Sequence, residues 1–268
     1  MYTIGLDSGS TTTKGVLFSN EELIDKYLIP TAGNPKGAMS NVVDYFKRSH
    51  VLNDLKLVTT GYGRKLLPAD LVVTEITCHG KGADYLSPGV KQVIDIGGQD
   101  CKTIQLNGKG NVVEFSMNDR CAAGTGRFVE VMMRTLGEDI SDLDQFVQDA
   151  KPVTINSMCT VFAESEVISL ISKGEAREDI ALGVLHSIAQ RISSQYSKLR
   201  PVRGEEVLFT GGLSKSVIFG KVLEQYVSAP VKRDNLSQYA GAIGAAQIGL
   251  KKLALRQIVL VKTNLNKT

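Results

Sequence analysis

The sequence predicts an α/β fold made of two related halves, and three observations carry that expectation. Apolar, β-prone runs alternate with helical patterns along the chain. A strand carrying an acidic residue at its end, followed by a turn of small residues, occurs at Tyr2 to Leu6 with Asp7 and recurs at Val93 to Ile96 around Asp95. A third glycine turn, Thr210-Gly211-Gly212, also follows directly on an apolar strand.

The elements follow in order. Tyr2 to Leu6 reads as a strand, Asp7 to Thr13 as a polar turn and Lys14 to Phe18 as the returning strand. A helical pattern spans Ala38 to Arg48, and a strand at Leu57 to Thr60 enters Gly61-Tyr62-Gly63-Arg64. Cys78 and His79 are placed at a strand end, as a core cysteine beside a partly exposed histidine. The second copy of the strand-turn-strand design covers Gln92 to Leu106. Helices are expected over Phe128 to Leu136 and Val161 to Lys173, stopped by Gly137 and Gly174, because glycine adopts the left-handed conformation that ends a helix without strain. Ala181, Leu185, Ile188, Ile192, Tyr196 and Leu199 recur at helical spacing and read as a core stripe. A strand at Glu206 to Phe209, a helix at Val217 to Val227 and a small-residue helix around Gly241 to Ala246 complete the pattern, and the tail after Lys251 carries no clear signal. The expected division is a first lobe of residues 1–86, joined by a returning C-terminal helix at 239–268, and a second lobe of residues 87–238.

Composition bounds the function. The 268 residues are 43% apolar and 22% charged, which describes a globular chain able to bury a sizeable core. The net charge of +3 is small and spread along the chain, so nucleic acid is not an expected partner. The first residues offer neither a basic leader nor a long apolar run, and no later segment is apolar for the ~18 residues of a spanning helix, which leads to an expected cytoplasmic location away from membranes. Four cysteines without a CxxC pair argue for reduced thiols or metal ligands rather than disulfides.

The chemistry sits in the turns. Asp7-Ser8-Gly9-Ser10-Thr11-Thr12-Thr13-Lys14 concentrates small and hydroxyl residues with one lysine, which suits close approach of backbone amides to phosphate oxygens. It lacks the GxxxxGK[ST] order of a P-loop. Asp95-Ile96-Gly97-Gly98-Gln99 offers a second such turn, and two acidic loops facing one another can hold Mg²⁺ through waters. The third turn is flexible enough to lie against a nucleoside. Cys121 and Cys159 stand at apparent helix starts, where unsatisfied amides and the helix dipole favour a thiolate, so the pair could hold a metal cluster. No role is assigned to Cys101, His50 or His186.

In this order the loops resemble the acetate-kinase, sugar-kinase, Hsp70 and actin ATPases. The match narrows at TGYGR (residues 60–64), IDIGGQD (94–100), MNDRCAAGTGRF (117–128), CTVFAESEVISLISKG (159–174) and SQYAGAIGAA (237–246). These are similar to the activator components of 2-hydroxyacyl-CoA dehydratases and of benzoyl-CoA reductase-type systems, over about residues 1–250. The resemblance implies a two-lobed actin-like, ribonuclease H-like fold of duplicated mixed sheets flanked by helices. It implies a homodimer sharing one 4Fe-4S cluster, with Cys121 and Cys159 as each subunit's ligands. It places ATP or ADP phosphates at Ser10, Thr11, Thr12, Thr13 and Lys14 and at Gly97 and Gly98, with the nucleoside near Gly211, Gly212 and Gln238. Asp7 and Asp95 become candidates to organise magnesium-bound water, and Asp95 or Gln99 to orient the attacking water, a task open also to Glu164 or Glu166. The implied activity is ATP-driven electron transfer from a ferredoxin or flavodoxin donor to an acceptor iron-sulfur protein, either a dehydratase, a reductase or a double-cubane protein. Two other classes stay open: a small-molecule kinase, and a nucleotide-binding protein without electron transfer.

Overall fold

The computed structural model describes residues 2–118, 123–156, 160–202 and 204–265. The chain divides into two compact units, the first made of Met1–Pro88, Lys109–Asn111 and Tyr239–Thr268, the second of Gly89–Gly108 and Val112–Gln238.

The first unit opens with β1 (Tyr2–Ser8), β2 (Thr12–Ser19) and β3 (Glu22–Pro30), followed by α1 (Pro35–Ser49), β4 (Leu55–Gly61), β5 (Leu71–Val72) and α2 (Glu75–Leu86). Its sheet has the order β3-β2-β1-β4-β5. The central strand β1 pairs antiparallel with β2, placing Asp7 opposite Lys14, and parallel with β4, placing Asp7 opposite Thr60 and Ser8 opposite Gly61. α1 starts where Asn34 accepts the Gly37 amide at 3.0 Å with proline at the first helical position, and it buries Met39, Val42 and Phe46 against Ile4, Leu6 and Leu17.

The second unit contains β6 (Gln92–Ile96), β7 (Cys101–Leu106), β8 (Val112–Asn118), α3 (Gly126–Thr135), α4 (Leu143–Phe146), α5 (Thr160–Ser172), α6 (Arg177–Tyr196), β9 (Val207–Gly211), α7 (Val217–Val227) and β10 (Val231–Lys232). The sheet order is β10-β9-β6-β7-β8. β6 and β9 are buried along their full lengths and pair in parallel, while the β6–β7–β8 meander is antiparallel. The helices pack through Phe128, Met132, Val167, Leu185, Ile188 and Ile192 onto Phe209 and Phe219. Gly137 (φ +80°) and Gly174 (φ +86°) lie just beyond α3 and α5, as their sequence positions predict.

α8 (Ala240–Leu265) returns to the first unit and packs on α2 and β1. The approach is close enough that a Cβ at Gly82 would overlap the Ala240 carbonyl and one at Gly244 the Cys78 carbonyl. The helix runs well past Lys251, where the sequence alone carries no signal. A second difference concerns Cys78 and His79, which lie within α2 rather than at a strand end, and His79 is buried rather than partly exposed. The segment has two glycines and little helix propensity, and its helix rests on the tertiary packing that Gly82 and the facing Gly244 permit.

Candidate functional site

In the first unit the phosphate-type turn is a tight hairpin between β1 and β2. The Gly9 amide donates to the Thr12 carbonyl at 3.1 Å, and Thr31 braces the loop by donating its amide to Thr11 O (2.9 Å) and its hydroxyl to Gly9 O (2.9 Å). Thr13 and Thr31 hydroxyls meet at 3.0 Å. Ser10 and Thr12 are half-buried and Thr11 is exposed, so the rim of the turn is open to a ligand. Asp7 is buried at the end of β1 with Lys14 Nζ 3.6 Å from its Oδ2. Asp7 Oδ1 and the neighbouring Ser8 Oγ are buried without a hydrogen-bond partner among the described residues. Gly61 (φ +83°) leaves room for that carboxylate, since a Cβ there would overlap Oδ1. A buried carboxylate oxygen without a donor is costly, and a water, a proton or a bound cation each satisfies it.

The second unit repeats this arrangement residue for residue. Gly97 N donates to Asp100 O at 2.9 Å, as Gly9 does to Thr12. Asp95 lies opposite Lys102 on β7 and opposite Thr210 on β9, as Asp7 lies opposite Lys14 and Thr60. Gly211 (φ +89°) corresponds to Gly61. The contacts differ: Thr210 Oγ1 donates to Asp95 Oδ1 at 2.8 Å, and Lys102 Nζ stands 3.2 Å from Asp95 Oδ2 and 2.7 Å from Asp100 Oδ2. Gly97 and Gly98 are half-buried and Gln99 is exposed at the tip.

The Gly97-Gly98 turn is also tied to a helix. Gly126 N donates to Gly97 O at 2.9 Å and Arg127 N to Gly98 O at 3.0 Å, so the first amides of α3 are capped by the turn's carbonyls. Beyond Gly211 and Gly212 the chain forms a polar cavity of about 220 Å³ lined by Ser214, Lys215, Arg233, Asp234, Asn235 and Gln238. Arg233 Nη1 donates to Ser214 O at 3.2 Å, holding the guanidinium along the wall.

The profile of the BadF/BadG/BcrA/BcrD ATPase family matches residues 4–249. The chain belongs to the BadF/BadG/BcrA/BcrD ATPase family. It is 47% identical over 249 residues to the uncharacterized protein YjiL of Escherichia coli, covering 92% of this chain and 96% of that one. It is 39% identical over 260 residues to the (R)-2-hydroxyglutaryl-CoA dehydratase activating ATPase of Acidaminococcus fermentans, covering 95% and 99%. Among solved structures, the activator of 2-hydroxyisocaproyl-CoA dehydratase from Clostridium difficile with bound ADPNP superposes with a TM-score of 0.87 at 36% identity, covering 96% of this chain and 97% of that one. The two-sheet actin-like ATPase fold expected from the sequence is thereby shown.

For this ATPase the remaining predicted residues fall as follows. Glu164 and Glu166 lie on α5, which packs on α3 and α6; Glu164 is half-buried, and Glu166 Oε1 accepts the Asn156 amide at 3.0 Å. Cys121 and Cys159 lie outside the described residues; α3 begins at Gly126 and α5 at Thr160. Among the described residues no group of three or more His, Cys, Asp or Glu could hold a metal ion, and no helix is long and apolar enough to cross a membrane. Cys78 and Cys101 are buried, and burial pushes the Cys78 thiol up to about 12 and the Cys101 thiol higher still, so both are inert as ligands or nucleophiles. Sequence reasoning misses Lys102, Thr210, Thr31 and Arg233. The signal for Lys102 is present, since the Asp-to-Lys spacing of Asp7 and Lys14 recurs at Asp95 and Lys102.

Proposed function

We propose that this ATPase is the activator of a partner metalloenzyme of the 2-hydroxyacyl-CoA dehydratase type, coupling ATP hydrolysis to low-potential electron transfer through a 4Fe-4S cluster shared by two subunits. The single observation that carries the coupling is the pair of hydrogen bonds from Gly126 and Arg127 to Gly97 and Gly98, because it joins a phosphate-type turn to the helix that follows the Cys121 motif. A rearrangement of the turn cannot leave the start of α3 untouched.

In this reading the turn residues Ser10, Thr11, Thr12 and Thr13 with Lys14, and Gly97 with Gly98, hold the phosphates of ATP or ADP, and Gly211, Gly212 and Gln238 receive the nucleoside beside Arg233 and Asp234. Asp7 fits Mg²⁺ through its buried oxygen, which has no partner among the described residues. Asp95, Gln99 and Glu164 are the residues proposed to order the attacking water. Cys121 and Cys159 would hold the cluster, as the resemblance of their motifs to the activators implies, while Cys78 and Cys101 are enclosed in the hydrophobic interiors of their units. When bound, such a cluster accepts and releases one electron at low potential. Exposed apolar side chains flank both motifs in sequence, with Val113, Phe115 and Met117 on the edge strand β8 and Phe162 and Ile168 on α5, and they support a homodimer that covers them. A ferredoxin or flavodoxin is the proposed donor.

The test is anaerobic ATP turnover with a strong reductant and a purified 2-hydroxyacyl-CoA dehydratase. The expected result is dehydratase reduction that needs both ATP and this protein. ATP-independent reduction, or phosphorylation of a small sugar or carboxylic acid in place of reduction, would overturn the reading.

A further inference from the structure

The duplicated constellations differ in how their carboxylates are neutralised. Lys14 is 14% exposed and stands 3.6 Å from Asp7 Oδ2, leaving Oδ1 without a partner among the described residues. Lys102 is 1% exposed and lies between two acids, closer to Asp100 (2.7 Å), which is 25% exposed, than to Asp95 (3.2 Å), which is 2% exposed. A buried ammonium is stable only with such partners, and here it stands at Asp95 Oδ2. Thr210 holds the other oxygen, so Asp95 keeps its orientation whatever stands at Oδ2.

We propose that Lys102 is a positioning residue, the resident counter-cation of Asp95, and that Mg²⁺ arriving with nucleotide takes its place while the ammonium stays on Asp100. The proposal rests on the reading of Asp95 as a carboxylate that organises magnesium-bound water. Two cations at one carboxylate oxygen repel, so the longer contact to Asp95 is the one released. Asp100 is the alternative partner that makes the exchange possible without stranding a buried charge. Its carbonyl also closes the Gly97 turn, so the exchange takes place within the loop that caps α3.

The experiment is titration of the full chain, purified anaerobically, with a fluorescent methylanthraniloyl-ATP across a Mg²⁺ series, for wild type, Lys102→Met and Asp100→Asn. Removing the resident cation should lower the half-saturating Mg²⁺ at least about fivefold, and removing its alternative partner should raise it by a similar factor. Shifts in the same direction, or no shift, overturn the proposal, because a merely structural network would respond alike to both substitutions. If Lys102→Met does not fold by circular dichroism, Asp100→Asn decides: a rise supports the exchange and an unchanged or lower requirement overturns it. Wild type that binds nucleotide equally with and without Mg²⁺ overturns the exchange alone, whereas wild type that binds no nucleotide at any Mg²⁺ overturns the ATPase reading beneath it.

Discussion

Lys102 faces Asp95 across the β6–β7 hairpin at 3.2 Å, in the same register that sets Lys14 opposite Asp7 across β1–β2. The two units thus share a hairpin in which an acid on the first strand meets a lysine on the second and a threonine on the parallel third. Their difference lies in satisfaction, since Asp95 has both oxygens engaged and Asp7 has one buried oxygen without a partner among the described residues.

Asp7→Asn therefore removes the charge with little change of shape. The expected outcome is a folded protein whose ATP turnover falls about 100-fold or more, the scale of losing one preorganised electrostatic contact. Lys14→Met should raise the KM for ATP more than it lowers kcat, by removing a charge from the phosphate-type turn. Steady-state phosphate release checks both.

The cap between the glycine turn and α3 should respond to nucleotide. Hydrogen exchange at the Gly126 and Arg127 amides, which donate to Gly97 O and Gly98 O, should differ between nucleotide-free, ADP-bound and ADPNP-bound protein. Equal protection in all three would separate the turn from the helix.

Helix packing in the first unit depends on missing side chains. Gly82→Ala and Gly244→Ala each push a methyl into a carbonyl of the facing helix, Ala240 in one case and Cys78 in the other. Each should cost about 1–3 kcal/mol, the usual scale of overpacking. A thermal melt should show this as a fall of several degrees; an unchanged midpoint would contradict the close α2–α8 approach.

Cys78 supplies a pH dependence. Its thiol rises from 9.0 to about 12 on folding because burial disfavours the thiolate. The folded state thus holds its proton above the pH where the unfolded chain has lost it. This contribution to stability is fully present below about pH 9 and is lost as the pH climbs toward 12. Urea midpoints measured across that window should fall less steeply for Cys78→Ala than for wild type.

Much of this was legible in the sequence where local chemistry decides. Gly137 and Gly174 mark helix ends by their left-handed backbone, and the acidic strand ends disclose the duplication. Cys78 and His79 were not legible as helix, because α2 forms through packing at Gly82 and Gly244 rather than through propensity. β3 was hidden by its mixed polar composition, although Thr31 just beyond it braces the first turn. For Lys102 the repeated spacing from Asp95 was legible but its burial was not, and only the register shows it buried between Asp95 and Asp100. The polar cavity around Arg233 gathers residues from two separate stretches, Ser214 with Lys215 and Arg233 to Gln238, which no local pattern joins.

Anaerobic purification followed by iron, sulfide and mass determination tests the proposal that Cys121 and Cys159 of two subunits hold one cluster. The expected result is a dimer with about four irons and four sulfides, as four-thiolate ligation of a 4Fe-4S cluster requires, and loss of both in Cys121→Ala and in Cys159→Ala. A colourless protein prepared without oxygen, or iron that survives both substitutions, would contradict it.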